Sequence, residues 1–361
     1  MHSLRCVVML SSLLALCALS ACREKPETAP TSEPGRAVTG RERDIPKLEP
    51  PKPGLETGEK IKLRAADVHP ESYPTVQGLM EMDRYLREKS GGRISLDIHH
   101  SGTLGGEKET MEQTTRGDLD INRTSAAPVA EFSHNIGVFS MPYLFEDTEH
   151  MWKVLNGKIG REILDSLAPA GTIGLCYYDA GARSFYTRDR LIETPADLDG
   201  LTIRVMQNEI VVAGVEAMGA SATPLSWTEV YTSLQTGHID GAENNPPTLY
   251  ESRQYEVAKF YSLTEHTRIP EVVIVSKKTW DKLSPGEREL VREAAVASVP
   301  KERDLWDQFT AKAMTELKQQ GVTITEPDQE PFRQAVAPVY EKYASEYGDL
   351  IERIRAAAKP G

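Results

Sequence analysis

The chain alternates short apolar strands with amphipathic helices, and this order limits the folds available to it more than any other feature does. Residues 61–67, 94–98 and 119–124 have the apolar patterns of strands, and residues 75–89 and 107–116 have helical spacing between them. Strands separated by helices in this way pair in parallel, because each helix crosses over one face of the sheet. The order therefore predicts an α/β fold with a parallel-rich sheet and helices on its faces.

The second half of the chain repeats this arrangement. Residues 201–206, 222–225 and 239–242 are predicted strands, and residues 210–218 and 227–235 are the helices between them. The segments QTTRGDLD and QTGHID both place a glycine three residues before an aspartate at a helix-to-strand junction, which is a weak sign of duplication. The roughly three hundred residues after residue 60 exceed one compact core, so we expect two lobes.

Three further elements are predicted towards the carboxyl terminus. The segment EVVIVS, which starts at Glu271, is a strand that would return to the first lobe. Ser284 and Glu287 fit a capping box with Pro285 at the first helical position, so a long helix starts here and runs towards Gln320. A last helix is predicted over residues 331–358.

The amino terminus has the features of an exported, lipid-anchored protein. A basic start precedes an apolar run over residues 6–18 that is too short to span a bilayer, which predicts a signal peptide over residues 1–21. The sequence Leu-Ser-Ala-Cys resembles a bacterial lipobox, so we expect Cys22 to be the lipidated first residue of the mature chain. Residues 22–59 are rich in Pro, Glu and Thr and are predicted to be a disordered tether, since they offer little apolar surface to bury.

Composition and motifs exclude several classes of function. The formal net charge of −12 argues against a nucleic-acid partner, since phosphate contacts need a basic face. Cys176 lies in the apolar strand IGLCYYD and is predicted to be a buried core residue rather than a nucleophile. The sequence contains no P-loop, Rossmann fingerprint, nucleophile elbow or metal-ligand spacing, and no acid and base pair supports hydrolysis. We therefore expect a protein that is not an enzyme and that has no metal and no other cofactor.

One arginine stands inside an apolar strand. Arg204, in LTIRVM, is flanked by Ile203 and Val205, and a guanidinium in such a run must either reach solvent or meet a permanent anion. Its planar fork can hold both oxygens of a carboxylate, so a ligand carboxylate is one candidate anion. An internal Asp or Glu is the other, and the local sequence leaves the two alternatives open.

Polar residues also gather at the predicted carboxyl ends of strands, where loop amides and helix N-termini converge and where open α/β sheets bind ligands. Five segments have this position: His69 to Tyr73, Gly105 to Glu107, Asn122 to Arg123, Gly181 to Arg183, and Glu243 to Asn245. His69 and Glu107 can exchange hydrogen bonds with hydroxyl groups, although each could instead be a turn or helix-capping residue.

These segments resemble a known family. GLTIRV, followed by SWTEVYTSLQTGHIDGAEN, is similar to the solute-binding proteins of tripartite ATP-independent periplasmic (TRAP) transporters, dicarboxylate-binding type, and the resemblance extends from about Ile61 into the C-terminal helices. HPESYPT, GGEKETMEQ, LDINR, DAGARSFY and AENN most resemble the members that bind hexuronates. The resemblance implies a two-lobed periplasmic-binding-protein fold, type II-like, with a hinge crossed by long C-terminal helices. The first lobe would comprise residues 60–180 and 270–309, and the second residues 181–269 and 310–358.

The resemblance also implies roles for residues of the second lobe. Arg204 would hold the ligand carboxylate, and Arg183 would share it or bind a neighbouring hydroxyl, with a solvated loop arginine as the alternative. Asn244 would lie beside the carboxylate, because an amide both donates and accepts. Asn245 would add a second amide, and a turn-forming asparagine is its alternative.

Two more residues gain a role from the resemblance. Arg123 would reach a ring hydroxyl or the ring oxygen of a sugar acid. Trp227 would lie against the apolar face of the ligand, and packing at the start of its helix is the alternative. His69 and Glu107 would then bind hydroxyl groups when the lobes close.

We therefore expect an extracytoplasmic, lipid-anchored and monomeric solute-binding protein that captures D-glucuronate or D-galacturonate and presents it to TRAP membrane subunits. A C4-dicarboxylate or a 2-oxo acid is the alternative ligand, since a second carboxylate would also satisfy Arg123. Two alternatives belong to other classes of function. One is a ligand-loaded sensor partner of a membrane receptor, and the other is a periplasmic sugar-acid lyase or hydrolase.

Overall fold

The computed structural model describes residues 54–55 and 57–358, and the strands of this part form two sheets. In chain order the strands are β1 (Ile61–Ala66), β2 (Ile94–His99), β3 (Ile121–Ser125), β4 (Thr172–Tyr178), β5 (Arg183–Thr187), β6 (Thr202–Val205), β7 (Ser221–Pro224), β8 (Gly241–Asn244), β9 (Phe260–Thr267), β10 (Glu271–Ser276) and β11 (Thr323–Thr325). The α-helices are α1 (Pro74–Lys89), α2 (Glu107–Arg116), α3 (Ala126–Val129), α4 (Thr148–Leu155), α5 (Lys158–Asp165), α6 (Glu209–Ala217), α7 (Val230–Thr236), α8 (Pro246–Glu251), α9 (Lys277–Lys282), α10 (Pro285–Gln319), α11 (Glu330–Ala335), α12 (Ala337–Lys342) and α13 (Ala344–Ala357). The predicted signal peptide, Cys22 and the predicted tether up to residue 53 lie outside the described residues.

The two sheets have the same strand order. The first sheet has the order β2-β1-β3-β10-β4, in which β1 is parallel to β2 and β3, and β10 is antiparallel to β3 and β4. The second sheet has the order β7-β6-β8-β5-β9, with β11 added beside β9; here β6 is parallel to β7 and β8, and β5 is antiparallel to β8 and β9. Each antiparallel strand arrives directly from the other sheet, since β5 follows β4 and β10 follows β9. The predicted α/β class and its repeated architecture are confirmed.

Local sequence signals explain where several elements begin and end. Gly117 follows α2 with a φ of 80°, and Gly237 follows α7 with a φ of 74°. Both lie in the left-handed region, which glycine adopts without a steric clash. The chain then continues into β3 after Gly117 and into β8 after Gly237. The predicted capping box of Ser284 and Glu287 is present at the start of α10.

Some element boundaries differ from the sequence prediction. The helix expected from residue 227 begins with a 3₁₀ turn, Trp227–Glu229, before α7. The single helix expected over residues 331–358 is divided into α11, α12 and α13. Pro338 lies near the start of α12, and because proline has no N–H it cannot continue the hydrogen bonding of α11.

Two strands carry polar residues that were expected in loops. β5 begins at Arg183, and β8 extends to include Glu243 and Asn244. These strands pair with each other, with Ser184 opposite Asn244 and Phe185 opposite Glu243. The side chains of this pair are therefore fixed by the sheet rather than carried on a flexible connection.

The long helix α10 contacts elements of both sheets. It packs on α1 and β4 beside the first sheet and on α8, which follows β8 of the second sheet.

Cys176 is buried in the core of the first sheet, as predicted. Leu55 packs into the same core and its carbonyl accepts a hydrogen bond from Arg93 Nε at 2.7 Å, so ordered contacts start before residue 60. Across the described residues, no helix combines the length and apolar character needed to cross a membrane.

Candidate ligand-binding site

The carboxyl ends of the parallel strands of the two sheets meet, and the region between them is called the cleft below. His69, after β1, stacks on Tyr73 with 4.0 Å between ring centroids, and its ring lies 5.6 Å from that of Trp227, which follows β7. Asn208, after β6, donates from Nδ2 to the carbonyl oxygen of Ala127, after β3, at 2.9 Å. The folded chain therefore brings candidate residues of both sheets to one place.

Arg204 is a buried cation on the second-sheet side of this cleft, and only 3% of the residue is exposed. Its Nε and Nη2 donate to the carbonyl oxygen of Leu225 at 3.0 and 2.7 Å. Within residues 57–358 no Asp or Glu forms an ion pair with Arg204, and its Nη1 makes no hydrogen bond. Burial lowers the pKa of the Arg204 guanidinium and the nearby Arg183 cation lowers it further, but an arginine stays charged. Nη1 and one N–H of Nη2 thus remain for an anion.

Arg183, by contrast, is neutralised inside the protein. Its Nε and Nη2 donate to the two carboxylate oxygens of Glu243 at 2.5 and 2.8 Å, and Nη2 also donates to the Glu243 carbonyl at 2.6 Å. Burial alone would raise the pKa of the Glu243 carboxyl, but Arg183 and His266 together outweigh it and lower that pKa to about 2. Arg183 is 5% exposed, so it is a buried strand residue and not a solvated loop arginine.

The two asparagines after Glu243 are used differently. Asn244 Oδ1 accepts hydrogen bonds from Arg183 Nη1 at 2.9 Å and from the backbone N–H of Asn245 at 3.0 Å. These bonds orient the amide, and its Nδ2 is left without a partner in the described part of the chain. Asn245 is the N-cap of α8: its Oδ1 accepts from the Thr248 N–H at 2.8 Å, and its Nδ2 donates to the Ala180 carbonyl at 3.0 Å. The turn-forming alternative accounts for these contacts of Asn245.

Arg123 organises the first-sheet side of the cleft from a fully buried position. A guanidinium has five N–H groups, and those of Arg123 meet five protein atoms. Nε donates to Asp67 Oδ2 at 2.8 Å, and Nη2 contacts Asp67 Oδ1 and His69 Nδ1. Nη1 donates to Glu271 Oε2 at 2.6 Å and to Glu107 Oε1 at 3.3 Å. The structure therefore gives Arg123 an organising position, and the ligand contact that the resemblance implies for it stays a prediction.

Three side chains around Arg123 keep one polar atom without a partner among the described residues. Glu107, at the start of α2, accepts from Arg123 and from the Ser125 N–H at its Oε1, which leaves Oε2. His69 is held at Nδ1, which leaves Nε2. Glu271, the first residue of β10, is held at Oε2, which leaves Oε1. Each of the three side chains is thus oriented by the protein and still has one atom that can form a hydrogen bond with a ligand.

The two sides of the cleft differ in charge. On the second-sheet side, Arg204 contributes a positive charge that the protein does not pair, while the neighbouring arginine and glutamate cancel each other. On the first-sheet side, the single positive charge of Arg123 is bonded to three carboxyl groups, those of Asp67, Glu107 and Glu271. One side therefore attracts an anionic group, and the other does not.

The pKa values of the first-sheet side follow from burial and from Arg123. Burial would raise the pKa of Asp67, but Arg123 and His69 hold it below its ordinary value. Burial and then Arg123 lower the pKa of His69, which favours the neutral ring at pH 7. Burial raises the pKa of Glu271 to about 7, with Arg123 opposing the rise and Glu107 adding to it.

Trp227 lies between the cleft and the core of the second sheet. It is partly buried against that core, and its ring faces His69 across the cleft. Both alternatives given for Trp227 therefore describe part of its surroundings: it packs at a helix start and it presents an aromatic surface near the candidate site.

The sequence analysis placed Glu243 at the end of a predicted strand, but it gave no role to Asp67, Glu271 or Glu243, which hold Arg123 and Arg183. Glu271 had a usable signal, because a charged residue opens the otherwise apolar strand EVVIVS. The ion pairs of Glu243 and Asp67 had none, since their partners Arg183 and Arg123 are far away in sequence. In the part of the chain that the structure describes, no group of three or more His, Cys, Asp or Glu side chains has a geometry that could hold a metal ion.

Comparison with known proteins places the chain in a family. Residues 65–346 match the bacterial extracellular solute-binding proteins, family 7. The chain belongs to this family. It is a periplasmic solute-binding protein of the TRAP type, and as a transport protein it is not an enzyme.

Individual family 7 proteins are similar to this chain over most of their length. A solute-binding protein from Chromohalobacter salexigens is 37% identical over 295 residues, which cover 81% of this chain and 88% of that protein. TRAP periplasmic solute-binding proteins from a Bradyrhizobium species and from Pseudomonas putida F1 are 43% and 40% identical, both with a TM-score of 0.80. Both matches cover 82% of this chain; they cover 99% of the Bradyrhizobium protein and 97% of the Pseudomonas putida protein. The first structure is a complex with α/β-D-galacturonate and the second has bound D-glucuronate. The predicted periplasmic-binding-protein fold is confirmed.

Proposed function

We propose that this family 7 protein binds a hexuronate, D-glucuronate or D-galacturonate, and presents it to TRAP membrane subunits. The ligand carboxylate binds Arg204, whose Nη1 and remaining Nη2 N–H form a fork for two oxygens. Asn244 Nδ2 and the remaining N–H of Arg183 Nη1 donate to the same carboxylate or to the adjacent hydroxyl. What carries this proposal is the buried cation of Arg204, which has no acidic partner among the described residues.

The first-sheet side of the cleft suits the hydroxyl groups of a sugar acid. Glu107 Oε2 accepts a hydrogen bond from one hydroxyl, and His69 Nε2 exchanges one with another. Because Arg123 already holds the other polar atom of each side chain, little conformational entropy is lost on binding. Trp227 offers an aromatic face to the C–H groups of a pyranose ring. The bound galacturonate and glucuronate of the similar proteins support this class of ligand.

A dicarboxylate fits the charge distribution less well. That alternative required Arg123 to be available for a second carboxylate, but all five of its N–H groups are in use. A carboxylate placed about 5 Å from one unpaired carboxylate of the protein is repelled by about 3 kcal/mol at an effective dielectric constant near 20. A 2-oxo acid without hydroxyl groups would also leave Glu107 Oε2 without a hydrogen-bond donor.

Binding couples to closure of the two lobes, residues 60–180 with 270–309 and residues 181–269 with 310–358. The chain passes between the sheets at residues 179–182 and 268–270, and these segments form the hinge together with α10. Contacts across the cleft stabilise the closed form. Ser72 Oγ donates to Glu251 Oε1 at 2.5 Å, and His69 approaches Trp227. A ligand that touches both sides stabilises this form further.

Attachment to the membrane is proposed to occur through a lipid on Cys22. The sequence Leu-Ser-Ala-Cys supports this assignment, and the mature protein would be a monomer tethered on the periplasmic side. Growth with radiolabelled palmitate tests the anchor: the protein should be labelled, and Cys22→Ser should abolish the label. A labelled Cys22→Ser protein would exclude Cys22 as the anchor, and light scattering gives the oligomeric state.

Thermal unfolding of the purified protein tests the ligand class. The compounds are D-glucuronate, D-galacturonate, D-gluconate, succinate and 2-oxoglutarate, each over a range of concentrations. A hexuronate at one hundred times its Kd should add about 2.7 kcal/mol to the free energy of unfolding. A shift of the midpoint with succinate or 2-oxoglutarate alone would refute the hexuronate proposal.

A further inference from the structure

The topology of the first sheet brings Glu271 to the ligand edge. β10 runs antiparallel to β3 and β4, so its first residue lies beside their last residues: Glu271 is in register with Ser125 and with Tyr178. Parallel strands present their carboxyl ends at this edge, whereas β10 presents its amino end there. The side-chain carboxyl of Glu271 therefore lies at the ligand edge, although the last residue of β10 lies at the opposite edge of the sheet.

Glu271 is only partly used by the protein. Its Oε2 accepts from Arg123 Nη1 at 2.6 Å, and its Oε1 has no partner among the described residues. The residue is 8% exposed, so it is nearly buried but keeps some accessible surface. Glu107 binds the same Nη1 of Arg123, which sets the two carboxyl groups side by side.

We propose that Glu271 is a further ligand-binding residue, whose Oε1 meets a hydroxyl group at the end of the solute remote from its carboxylate. This inference rests on the proposed function and adds to it a residue that recognises a hydroxyl group of the sugar. Glu107 and Glu271 would contact neighbouring hydroxyl groups, since one nitrogen of Arg123 holds both.

The groups that surround Glu271 decide its protonation in the complex. They are Arg123 of β3, Asp67 after β1, Glu107 of α2, Tyr73 before α1, Arg183 of β5 and Glu302 of α10. Burial raises the pKa of the Glu271 carboxyl to about 7 in the free protein. The ligand adds a negative charge to the cleft and displaces water, and both effects disfavour ionised Glu271. Glu271 therefore binds as the neutral acid and donates from Oε1 to a hydroxyl oxygen, and the complex takes up a proton.

Proton uptake makes the affinity depend on pH. If only neutral Glu271 binds, the Kd rises as the pH rises through the pKa of Glu271, which burial raises above its ordinary value. Glu271→Gln imitates the neutral acid, because its amide accepts from Arg123 and donates to the ligand. Its Kd should stay within about threefold of the wild-type value at pH 6 and should not change up to pH 8. Glu271→Ala removes the contact and should raise the Kd at pH 6 about tenfold or more.

Isothermal titration calorimetry of the mature protein with D-glucuronate and D-galacturonate at pH 6, 7 and 8 tests the inference. Two buffers of different ionisation enthalpy give the number of protons taken up. The control is Glu88→Gln at the far end of α1, which should behave as wild type. Circular dichroism checks that each variant folds, and Glu271→Gln keeps the test decisive if Glu271→Ala does not fold.

The possible results separate this inference from the proposed function. A Glu271→Ala variant that keeps the wild-type Kd at pH 6, or a Glu271→Gln variant that keeps a wild-type rise of the Kd with pH, overturns the role of Glu271 and leaves hexuronate binding intact. A wild-type protein that binds neither hexuronate refutes the proposed function itself.

Discussion

Replacement of Arg204 by methionine should separate ligand binding from stability. Arg204→Met keeps most of the side-chain volume and removes the charge. Two of the five N–H groups of Arg204 are bonded to the Leu225 carbonyl, so three remain for a ligand. If two of these hold a carboxylate at about 1.5 to 3 kcal/mol each, the variant loses about 3 to 6 kcal/mol of binding free energy. Its Kd for a hexuronate should rise about 10²- to 10⁴-fold.

The unliganded Arg204→Met protein should remain stable. No carboxylate loses a partner, and only the Leu225 carbonyl loses a donor, which costs about 1 kcal/mol and is offset by the removal of a buried unpaired cation. Arg183→Met is the matched contrast, because it leaves the buried carboxylate of Glu243 without its arginine. That change should lower the free energy of unfolding by about 3 to 5 kcal/mol.

Urea unfolding followed by circular dichroism gives the stability of the two variants without ligand, and calorimetry gives their Kd. Arg204→Met should stay within about 2 kcal/mol of wild type in unfolding free energy while its binding is lost. Two results would refute the reasoning. One is a Kd within tenfold of wild type, and the other is a loss of stability as large as that of Arg183→Met, which would mean that the protein itself satisfies Arg204.

Three other substitutions test neighbouring parts of the structure. Trp227→Ala should weaken hexuronate binding about fivefold, because an aromatic contact of about 1 kcal/mol is lost; calorimetry that finds the wild-type Kd would remove Trp227 from the site. Asp67→Asn weakens a fully buried ion pair of Arg123, so urea unfolding should show a loss of about 3 kcal/mol, and a loss below 1 kcal/mol would contradict that pairing. Burial and then Asp179 raise the pKa of Glu302 in the folded protein. The neutral Glu302 side chain therefore contributes fully to stability below the ordinary carboxyl pKa, and this contribution is lost as the pH rises through the raised pKa. Glu302→Gln should therefore gain stability over wild type from pH 5 to pH 9, and a constant difference in unfolding free energy would exclude this.

The sequence predicted those parts of the fold that depend on neighbouring residues. Helix ends followed from Gly117 and Gly237, since only the local backbone conformation is involved. Arg204 was recognisable because a charge inside an apolar strand has few ways to be satisfied. Chain length predicted two lobes, and the resemblance to TRAP solute-binding proteins then supplied the hinge and the assignment of residues to each lobe.

Pairings between distant residues could not be predicted from the sequence. The sequence suggested a ligand contact for both Arg183 and Arg204, yet one is neutralised by Glu243 and the other is not. The difference arises because β5 and β8 are adjacent in the second sheet, so that the ends of these strands bring the two side chains together. Arg123 likewise gained its partners Asp67 and Glu271 through the order of strands in the first sheet.

The supports of each side of the cleft lie within its own sheet. Arg204 is held by Leu225 and Arg183 by Glu243, all from the second sheet or its loops, whereas the contacts of Arg123 come from the first sheet and its loops. On the proposed function, the group that binds the ligand carboxylate is thus supported independently of the groups that bind the hydroxyls. Substitutions around Arg123 should then change which sugar acid is bound without weakening the carboxylate contact.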